Sequence, residues 1–347
     1  MHVFDYSELR GSIPADVVEL IARIREIRAL DSVRAARYPS EMRRVEHVAI
    51  LRSVKYSNEI EGIVTTDDRM RDLVERWDAP ADHSECEIAG YRDMLKAIHE
   101  GHAGMDLDTG TVLALHRGLM SYTLHKGGRY KVRDNAIISV DARGRRSVRF
   151  RPVPASETAD AMDQMVLAFD EARQDGTDPL LLIPAVVLDF LCIHPFPDGN
   201  GRVSRLLTTM LLYNSGIDVC RYVSLDEHIA GTRGSYYRAL EESSKGWMEN
   251  DWSYFPFVRY FLMMLLECYV DLDNLFGVAG DRKLTKGERI RGVIENSAAP
   301  VSKAQICRIL GDVSPRTVES VLSRLQKDGS VEKVGGYRDA RYRVARR

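Results

Sequence analysis

One twelve-residue segment, His194 to Arg205 (HPFPDGNGRVSR), constrains the fold of this chain more than any other. It follows an apolar run, Leu180–Ile193, which predicts a buried helix. The triplet Gly199-Asn200-Gly201 interrupts that helix, and the residues from Arg202 onward predict a new amphipathic one. The segment should therefore form a tight loop at the N-terminus of a helix, where free backbone N–H groups and the helix dipole favour phosphate.

The polar residues of this segment suit phosphate chemistry. Arg202 and Arg205 are three residues apart, so both are placed to reach a polyphosphate from the first helical turn. Asp198 supplies the hard oxygen ligand that suits Mg²⁺ bound between one carboxylate and substrate phosphates. His194 is placed to act as general base for a hydroxyl that attacks phosphorus. Each residue alone has an ordinary structural explanation, but together they predict a nucleotide site.

Together these residues resemble the Fic family signature, His-x-Phe-x-(Asp/Glu)-Gly-Asn-Gly-Arg-x-x-Arg, at every specified position. The resemblance implies a helical enzyme that transfers AMP from ATP to a target hydroxyl, with His194 as catalytic base and Asp198 as metal ligand. It implies that the loop cradles the phosphates and that Arg205 binds the γ-phosphate. The implied ATP-binding residues are Glu61, Gly199, Asn200, Gly201, Arg202, Val203, Ser204, Arg205, Tyr236 and Tyr237.

Composition is that of an ordinary globular protein. The 347 residues are 44% apolar and 29% charged, with a formal net charge of −2, and the length allows about two or three domains. The five cysteines show no CxxC pair, which indicates reduced thiols. The start lacks a signal-peptide pattern, and the longest apolar run, Leu180–Leu188, contains Pro184 and is too short to span a bilayer. We therefore predict a cytoplasmic protein with no membrane partner.

The predicted fold class is mainly α, with three regions. Residues 1–105 form an N-terminal helical region, residues 106–278 a helical Fic core with a small β-hairpin flap, and residues 281–347 a C-terminal winged helix domain. The boundary of the C-terminal domain follows the change in charge balance after residue 280.

A helix with Val45, Val48, Leu51 and Val54 on one face continues to a glycine stop at Gly62. Near its end, Ser57 and Glu61 are four residues apart and share a face. Alone, this is an ordinary helix end. Beside the signature, Ser57-x-x-x-Glu61-Gly62 resembles the inhibitory helix of the family. The resemblance implies that Glu61 pairs with Arg205 and keeps ATP out of line for transfer.

Two further segments predict the walls of a substrate site. Asn135–Val140 and Ser147–Phe150, joined by a turn at 141–144, predict a hairpin. It resembles the family's flap, in which Ile137 and Ile138 would align a target segment by strand addition; a hairpin without a binding role is the alternative.

The segment Gly234–Leu240 resembles the helix on the adenine side of the family's site. Tyr236 or Tyr237 would stack on the base or contact its edge. The following Ser243-Ser244-Lys245-Gly246 departs from the family pattern, which leaves the adenine contacts there open.

The last 67 residues, 281–347, carry 16 Lys and Arg against 8 Asp and Glu. Helices at Lys286–Ala299, Ser302–Leu310 and Pro315–Asp328, then a hairpin of Val331–Val334 and Tyr342–Val344, resemble a winged helix-turn-helix. One interpretation is DNA binding, with Pro315–Asp328 as recognition helix and Arg338, Arg341 and Arg343 near the wing. The other is docking of a protein, including a second copy in a homodimer.

The sequence therefore predicts a protein adenylyltransferase that uses ATP and Mg²⁺ and modifies a Ser, Thr or Tyr hydroxyl of a protein substrate, including itself. Two alternatives remain open. One is a DNA-binding transcriptional regulator with a nucleotide-sensing core. The other is an AMP-protein hydrolase in which Glu61 orients water.

Overall fold

The computed structural model describes residues 2–31, 34, 38–140, 146–276, 285–295, 300–310, 313–336 and 340–345. The predicted turn at 141–144, the predicted helix end at 296–299 and Arg338 lie outside these residues. Helices dominate the described parts, and the strands form two small antiparallel sheets, which confirms the predicted mainly-α class.

The α-helices of the first half are α1 (Ala15–Arg28), α2 (Pro39–Ile60), α3 (Asp67–Glu75), α4 (His83–Gly101), α5 (Thr109–Leu119), α6 (Thr158–Gln174) and α7 (Pro179–Ile193). Those that follow are α8 (Asn200–Asn214), α9 (Val219–Tyr222), α10 (Leu225–Gly231), α11 (Arg233–Ser244), α12 (Phe255–Phe276), α13 (Lys286–Glu295), α14 (Lys303–Ile309) and α15 (Pro315–Lys327). Short 3₁₀ turns occur at Ser7–Arg10, His102–Gly104, Ala155–Glu157 and Trp247–Glu249. The strands are β1 (Ile137–Val140), β2 (Arg146–Phe150), β3 (Val301–Ser302), β4 (Val331–Val334) and β5 (Arg341–Val344).

The chain divides into two compact units. The first unit comprises Met1–Ala22, Ser53–Asp218 and Leu225–Met264, and the second comprises Arg23–Arg52, Val219–Ser224 and Leu265–Arg347. The first unit thus joins residues 53–105 to most of the predicted core. The three-domain division itself stays a prediction.

Helix α7 is the buried centre of the first unit. Every residue of α7 except Pro179 and Leu191 is buried, as expected for a helix that is apolar on all sides. Asp178 caps it by accepting the Leu180 N–H, and Pro179 stands at the first helical position, where its missing N–H costs nothing. The sequence places the predicted signature directly after this rigid element.

The one polar group within α7, Asp189, belongs to a buried network that joins distant parts of the first unit. Its carboxylate accepts hydrogen bonds from Tyr6 Oη (2.8 Å), Trp247 Nε1 (2.8 Å) and Tyr254 Oη (2.9 Å). Burial raises the pKa of Asp189 to about 7. The network fixes α7 one turn before the signature begins.

The hairpin predicted for the core is present. β1 and β2 pair antiparallel, with Ile137 opposite Phe150 and Ile138 opposite Val148, and a bulge lies between Ile137 and Ile138. A bulge twists the strand locally and redirects side chains, which is frequent beside functional sites.

The C-terminal module of the second unit follows the predicted element order. Strand β5 pairs with β4 and with β3, an unpredicted strand of two residues. Ser314 caps α15, and Pro315 occupies its first turn. The apolar face of α15, formed by Val318, Val321, Leu322 and Leu325, is buried in the module's core. The identification as a winged helix stays a prediction.

Among the described residues, no helix combines the length and the apolar character that crossing a membrane requires.

Candidate active site

The signature forms the predicted turn between α7 and α8. His194 and Gly199 both adopt left-handed backbone conformations, with φ of 50° and 79°. Glycine adopts this conformation without penalty, whereas in histidine it costs on the order of 1–3 kcal/mol and persists only where neighbouring contacts enforce it. Contacts with neighbouring residues must therefore stabilise the left-handed backbone conformation of His194.

Lys131 and Asn135, which the sequence analysis did not single out, supply these contacts. Lys131 Nζ donates to the Ile193 carbonyl at 3.0 Å and to Asn135 Oδ1 at 2.9 Å. Asn135 Nδ2 in turn donates to the carbonyls of His194 (3.3 Å) and Phe196 (3.2 Å). Lys131 is only 3% exposed, and this burial lowers its pKa to about 8. These two side chains brace the backbone on both sides of His194.

The His194 ring is arranged as a base. Its Nδ1 lies 3.3 Å from the Leu191 carbonyl, which can only accept, so Nδ1 carries the proton of the neutral ring and Nε2 keeps its lone pair. Burial lowers the pKa of His194 to about 4. The Lys131 charge lowers it further, while Glu61 and Asp198 oppose the shift. His194 is therefore neutral at pH 7 and able to take up a proton.

Arg205 of α8 is bound by the end of α2. Its Nε donates to Ser57 Oγ at 2.6 Å, and its Nη2 donates to the Ser57 carbonyl at 2.8 Å and to Glu61 Oε1 at 2.9 Å. The contact between Arg205 and Glu61 that the sequence predicts is thus present, while inhibition by Glu61 stays a prediction. A second carboxylate, Asp226 of α10, lies 3.6 Å from Arg205 Nε and was not predicted.

The Glu61 carboxylate also occupies the start of α8. A Cβ atom placed on Gly201 would collide with Glu61 Oε1, so only glycine leaves room for the carboxylate there. The first N–H groups of a helix have no partner within the helix and attract anions. Glu61 therefore sits where the sequence predicts a phosphate. The helix itself ends as predicted, with Gly62 at φ 80°.

Asn200, Arg202 and Val203, which are predicted ATP ligands, point into the protein. The Asn200 side chain bonds the backbone of Phe196, accepting at 2.9 Å and donating at 2.8 Å, and so closes the loop on itself. Arg202 is 1% exposed and lies 2.5 Å from the Glu87 carboxylate of α4. Val203 is fully buried. Arg202 and Arg205 thus diverge, and the role of Arg202 in ATP binding stays a prediction.

An open cleft of about 1220 Å³ in the first unit is lined by seven of the predicted residues. The predicted residues that line it are Glu61, Ile137, Ile138, His194, Gly201, Tyr236 and Tyr237. Ser204 and Arg205 instead border a neighbouring, much smaller pocket. The base, the phosphate loop, the predicted inhibitory residue, the flap and the adenine-side tyrosines therefore meet at one place, although they come from four separate parts of the chain.

The two tyrosines differ in access. Tyr236 is buried, whereas Tyr237 is half-buried. The guanidinium groups of Arg149 and Arg233 lie 5.3 and 5.6 Å from the centre of the Tyr237 ring. Tyr237 therefore presents the more accessible ring for stacking against a base.

The predicted metal ligand, Asp198, is exposed, and its Oδ1 accepts the Gly199 N–H at 2.6 Å. The other oxygen remains available. Within the described ranges, no group of three or more His, Cys, Asp or Glu side chains is suited to a metal. A single free carboxylate oxygen fits the usual binding of Mg²⁺, which takes one or two carboxylates together with substrate phosphates and water.

Comparison with known proteins agrees with this geometry. The family model that matches is the Fic/DOC family, over residues 106–212. The protein adenylyltransferase fic-1 of Caenorhabditis briggsae is 30% identical over 112 residues, which are 32% of this chain and 20% of that protein. The protein adenylyltransferase Fic of Nematostella vectensis is 25% identical over 249 residues, 70% of this chain and 53% of the relative. The chain thus spans between a fifth and about half of the length of these relatives.

Solved structures share the fold. A Fic family protein from Desulfovibrio desulfuricans superposes with a TM-score of 0.62 at 23% identity, covering 97% of this chain and 98% of the other. Fic-1 from Caenorhabditis elegans superposes with a TM-score of 0.58 at 19% identity, covering 74% and 73%. At this identity the likeness concerns the fold alone.

Proposed function

We propose that this chain is a protein adenylyltransferase of the Fic/DOC family, whose model matches residues 106–212, and that it transfers AMP from ATP to a hydroxyl group of a protein. One observation carries the proposal: a neutral, half-buried His194 shares a cleft with Gly201, at the anion-attracting start of α8. A base beside a phosphate site is what the attack of a hydroxyl on phosphorus requires. Relatives named as protein adenylyltransferases support the same reaction.

In the proposed reaction, the acceptor hydroxyl gives its proton to Nε2 of His194 and its oxygen forms a bond to the α-phosphorus of ATP. The bond from that phosphorus to the oxygen bridging to the β-phosphate breaks, and diphosphate leaves with the electron pair. The free N–H groups at the start of α8 bind phosphate oxygens and hold the α-phosphorus in line. Mg²⁺ bound between Asp198 and the phosphates would offset the charge that develops on the leaving diphosphate.

We further propose that Glu61 inhibits this reaction in the structure described here. Its carboxylate bonds Arg205 and covers Gly201, so the γ-phosphate and Glu61 compete for one guanidinium. Arg205 keeps two other partners when Glu61 leaves: Ser57 at 2.6 Å and Asp226 at 3.6 Å. A buried arginine without a counter-charge would be strongly destabilising. Because Asp226 supplies a second counter-charge, the folded protein tolerates the release of Glu61 from Arg205.

The proposal is tested by incubating the full chain with adenine-labelled ATP, Mg²⁺ and a protein extract, and measuring protein-bound label. His194→Ala should bind ATP as the parent does, because the loop and the arginines carry binding, but should lose about 10²–10⁴ in transfer rate. His125→Ala, an exposed histidine outside the cleft, serves as the matched control. Transfer by His194→Ala within threefold of the parent would remove His194 from the role of base.

One observation favours a second reaction, hydrolysis of AMP-protein. Glu61 lines the same cleft as His194, and its side chain is 33% exposed, so its carboxylate can hold a water molecule there. If this reaction dominates, the parent should release AMP from a pre-modified protein, and Glu61→Gly should lose that release.

A further inference from the structure

The hairpin and the residues leading into it have an unusual charge. Residues 129–151 contain eight Lys and Arg against two Asp, a net charge of +6. The whole chain has a net charge of −2, so the remaining residues together carry −8. A positive segment of this kind indicates a local preference for a negative partner.

The fold uses only part of this charge internally. Lys131 is buried and braces the His194 loop, as described above. Asp134 accepts the Ala155 N–H at 2.7 Å. Arg129, Arg133 and Arg151 are exposed to solvent. Their charge is therefore available to a partner.

The strand pairing gathers this charge at the cleft. Since β1 and β2 are antiparallel, the start of β1 lies beside the end of β2, where Ile137 pairs with Phe150. Arg151 directly follows that end, and Arg133 lies four residues before β1. Ile137 and Phe150 line the cleft that holds His194. The end of the hairpin that carries Arg133 and Arg151 is thus the end that borders the catalytic base.

The hairpin also presents an apolar contact to a partner. Ile138 and Val148 are opposite each other across the two strands, and each is 47% exposed. Within the described residues, β1 has β2 as its single neighbour in the sheet. An extended segment can therefore add along β1 through main-chain hydrogen bonds, while side chains decide which segment binds.

We propose that the hairpin selects protein segments that carry Asp or Glu beside the modified hydroxyl. The inference rests on the proposed adenylyltransferase function and names its substrate class. We expect this preference only at positions next to the end of the hairpin. A second, adjoining cleft is lined by Arg149 and Arg151 but also by Glu241, Glu242 and Glu249, whose negative charges offset those of the arginines. Exposed ion pairs each contribute only a few-fold, so several together should give roughly tenfold discrimination that weakens as salt screens them.

The test uses synthetic peptides with one central Ser, Thr or Tyr, flanked by acidic, neutral or basic residues. The full-length parent and Glu61→Gly chains are incubated with each peptide, Mg²⁺ and labelled ATP at low salt. Acidic peptides should be modified with roughly tenfold higher kcat/KM than neutral ones, and basic peptides least, with the differences shrinking at high salt. The double variant Arg133→Glu, Arg151→Glu should prefer basic peptides, whereas Arg76→Glu, an exposed arginine of α3's C-terminal end, should keep the parental order.

Equal transfer to acidic, neutral and basic peptides would overturn this inference and leave the adenylyltransferase function standing. A second outcome would also overturn the inference: all peptides are modified equally, and the parent chain binds duplex DNA while the double variant does not. The arginines would then serve to bind nucleic acid. Absence of transfer to any peptide or protein by either chain would overturn both proposals.

Discussion

Replacing Glu61 by glycine should raise AMP transfer by about 5–30-fold. The bond from Arg205 Nη2 to Glu61 Oε1 is 2.9 Å long, and a hydrogen bond to a charged group contributes about 1.5–3 kcal/mol. Because a third of the Glu61 side chain is exposed, solvent screening lowers this to about 1–2 kcal/mol. That free energy corresponds to a factor of about 5–30 between the chain with Arg205 occupied and the chain with Arg205 open to the γ-phosphate.

The change is measured as label incorporated from ATP, beside ATP affinity from calorimetric titration. Glu61→Gln keeps the helix but removes the charge, and should show most of the gain. Glu59→Gly, an exposed glutamate in the same helical turn, controls for loosening of the helix by glycine. The double variant Glu61→Gly, Arg205→Ala should lose the gain. If Glu61→Gly folds, binds ATP and transfers at the parental rate, Glu61 is an ordinary helix-end residue and the reasoning fails.

Four other predictions follow from the structure. Because His194 acts as a base only when neutral and burial lowers its pKa to about 4, the transfer rate should rise with pH through about 4 and stay level from pH 5 to 7; an acid limb near 6.5 would contradict this. Lys131→Met should lower the transfer rate and move the acid limb of the pH–rate profile to higher pH, because a positive charge near His194 is removed. An acid limb at the parental pH would show that Lys131 has no electrostatic effect on His194. Asp189→Ala should lower the free energy of unfolding by at least about 3 kcal/mol, because three buried donors lose their acceptor, which thermal unfolding would show. For residues 281–347, a gel shift that weakens steeply with salt and is lost in Arg316→Glu, Arg324→Glu would assign the module to DNA; no shift at low salt would favour docking of a protein or a second copy.

The local features of this fold could be predicted from its sequence. The stop of α2 at Gly62, the cap of α15 at Ser314, the glycine turn between α7 and α8 and the hairpin all depend on residues within a few positions of one another. Such short-range rules act in any context, so the elements and the motif residues were accessible before the structure. Strand β3 was missed because two residues are too few to show an alternating pattern.

The features that required the structure depend on contacts between distant residues. The Asp189 carboxylate accepts hydrogen bonds from residues far before and far after it in the sequence, such as Tyr6 and Tyr254, and no spacing rule connects these positions. Lys131 lies in a strongly charged stretch that predicts exposure, yet it is buried against the end of α7. Arg202 shares a helical turn with Arg205 but turns toward α4, because helix periodicity gives a side chain's angle and not its neighbour.

The central claim is that the AMP portion of ATP becomes bound to protein, and the most direct measurement compares ATP labelled at the α-phosphate with ATP labelled at the γ-phosphate. The Glu61→Gly chain is incubated with each in Mg²⁺ and a protein extract, and label bound to protein is counted against a His194→Ala control. We expect α-label to become protein-bound, γ-label to be released in diphosphate, and the control to retain neither. Protein-bound γ-label would mean phosphoryl transfer, and absence of α-label on any protein would contradict the account.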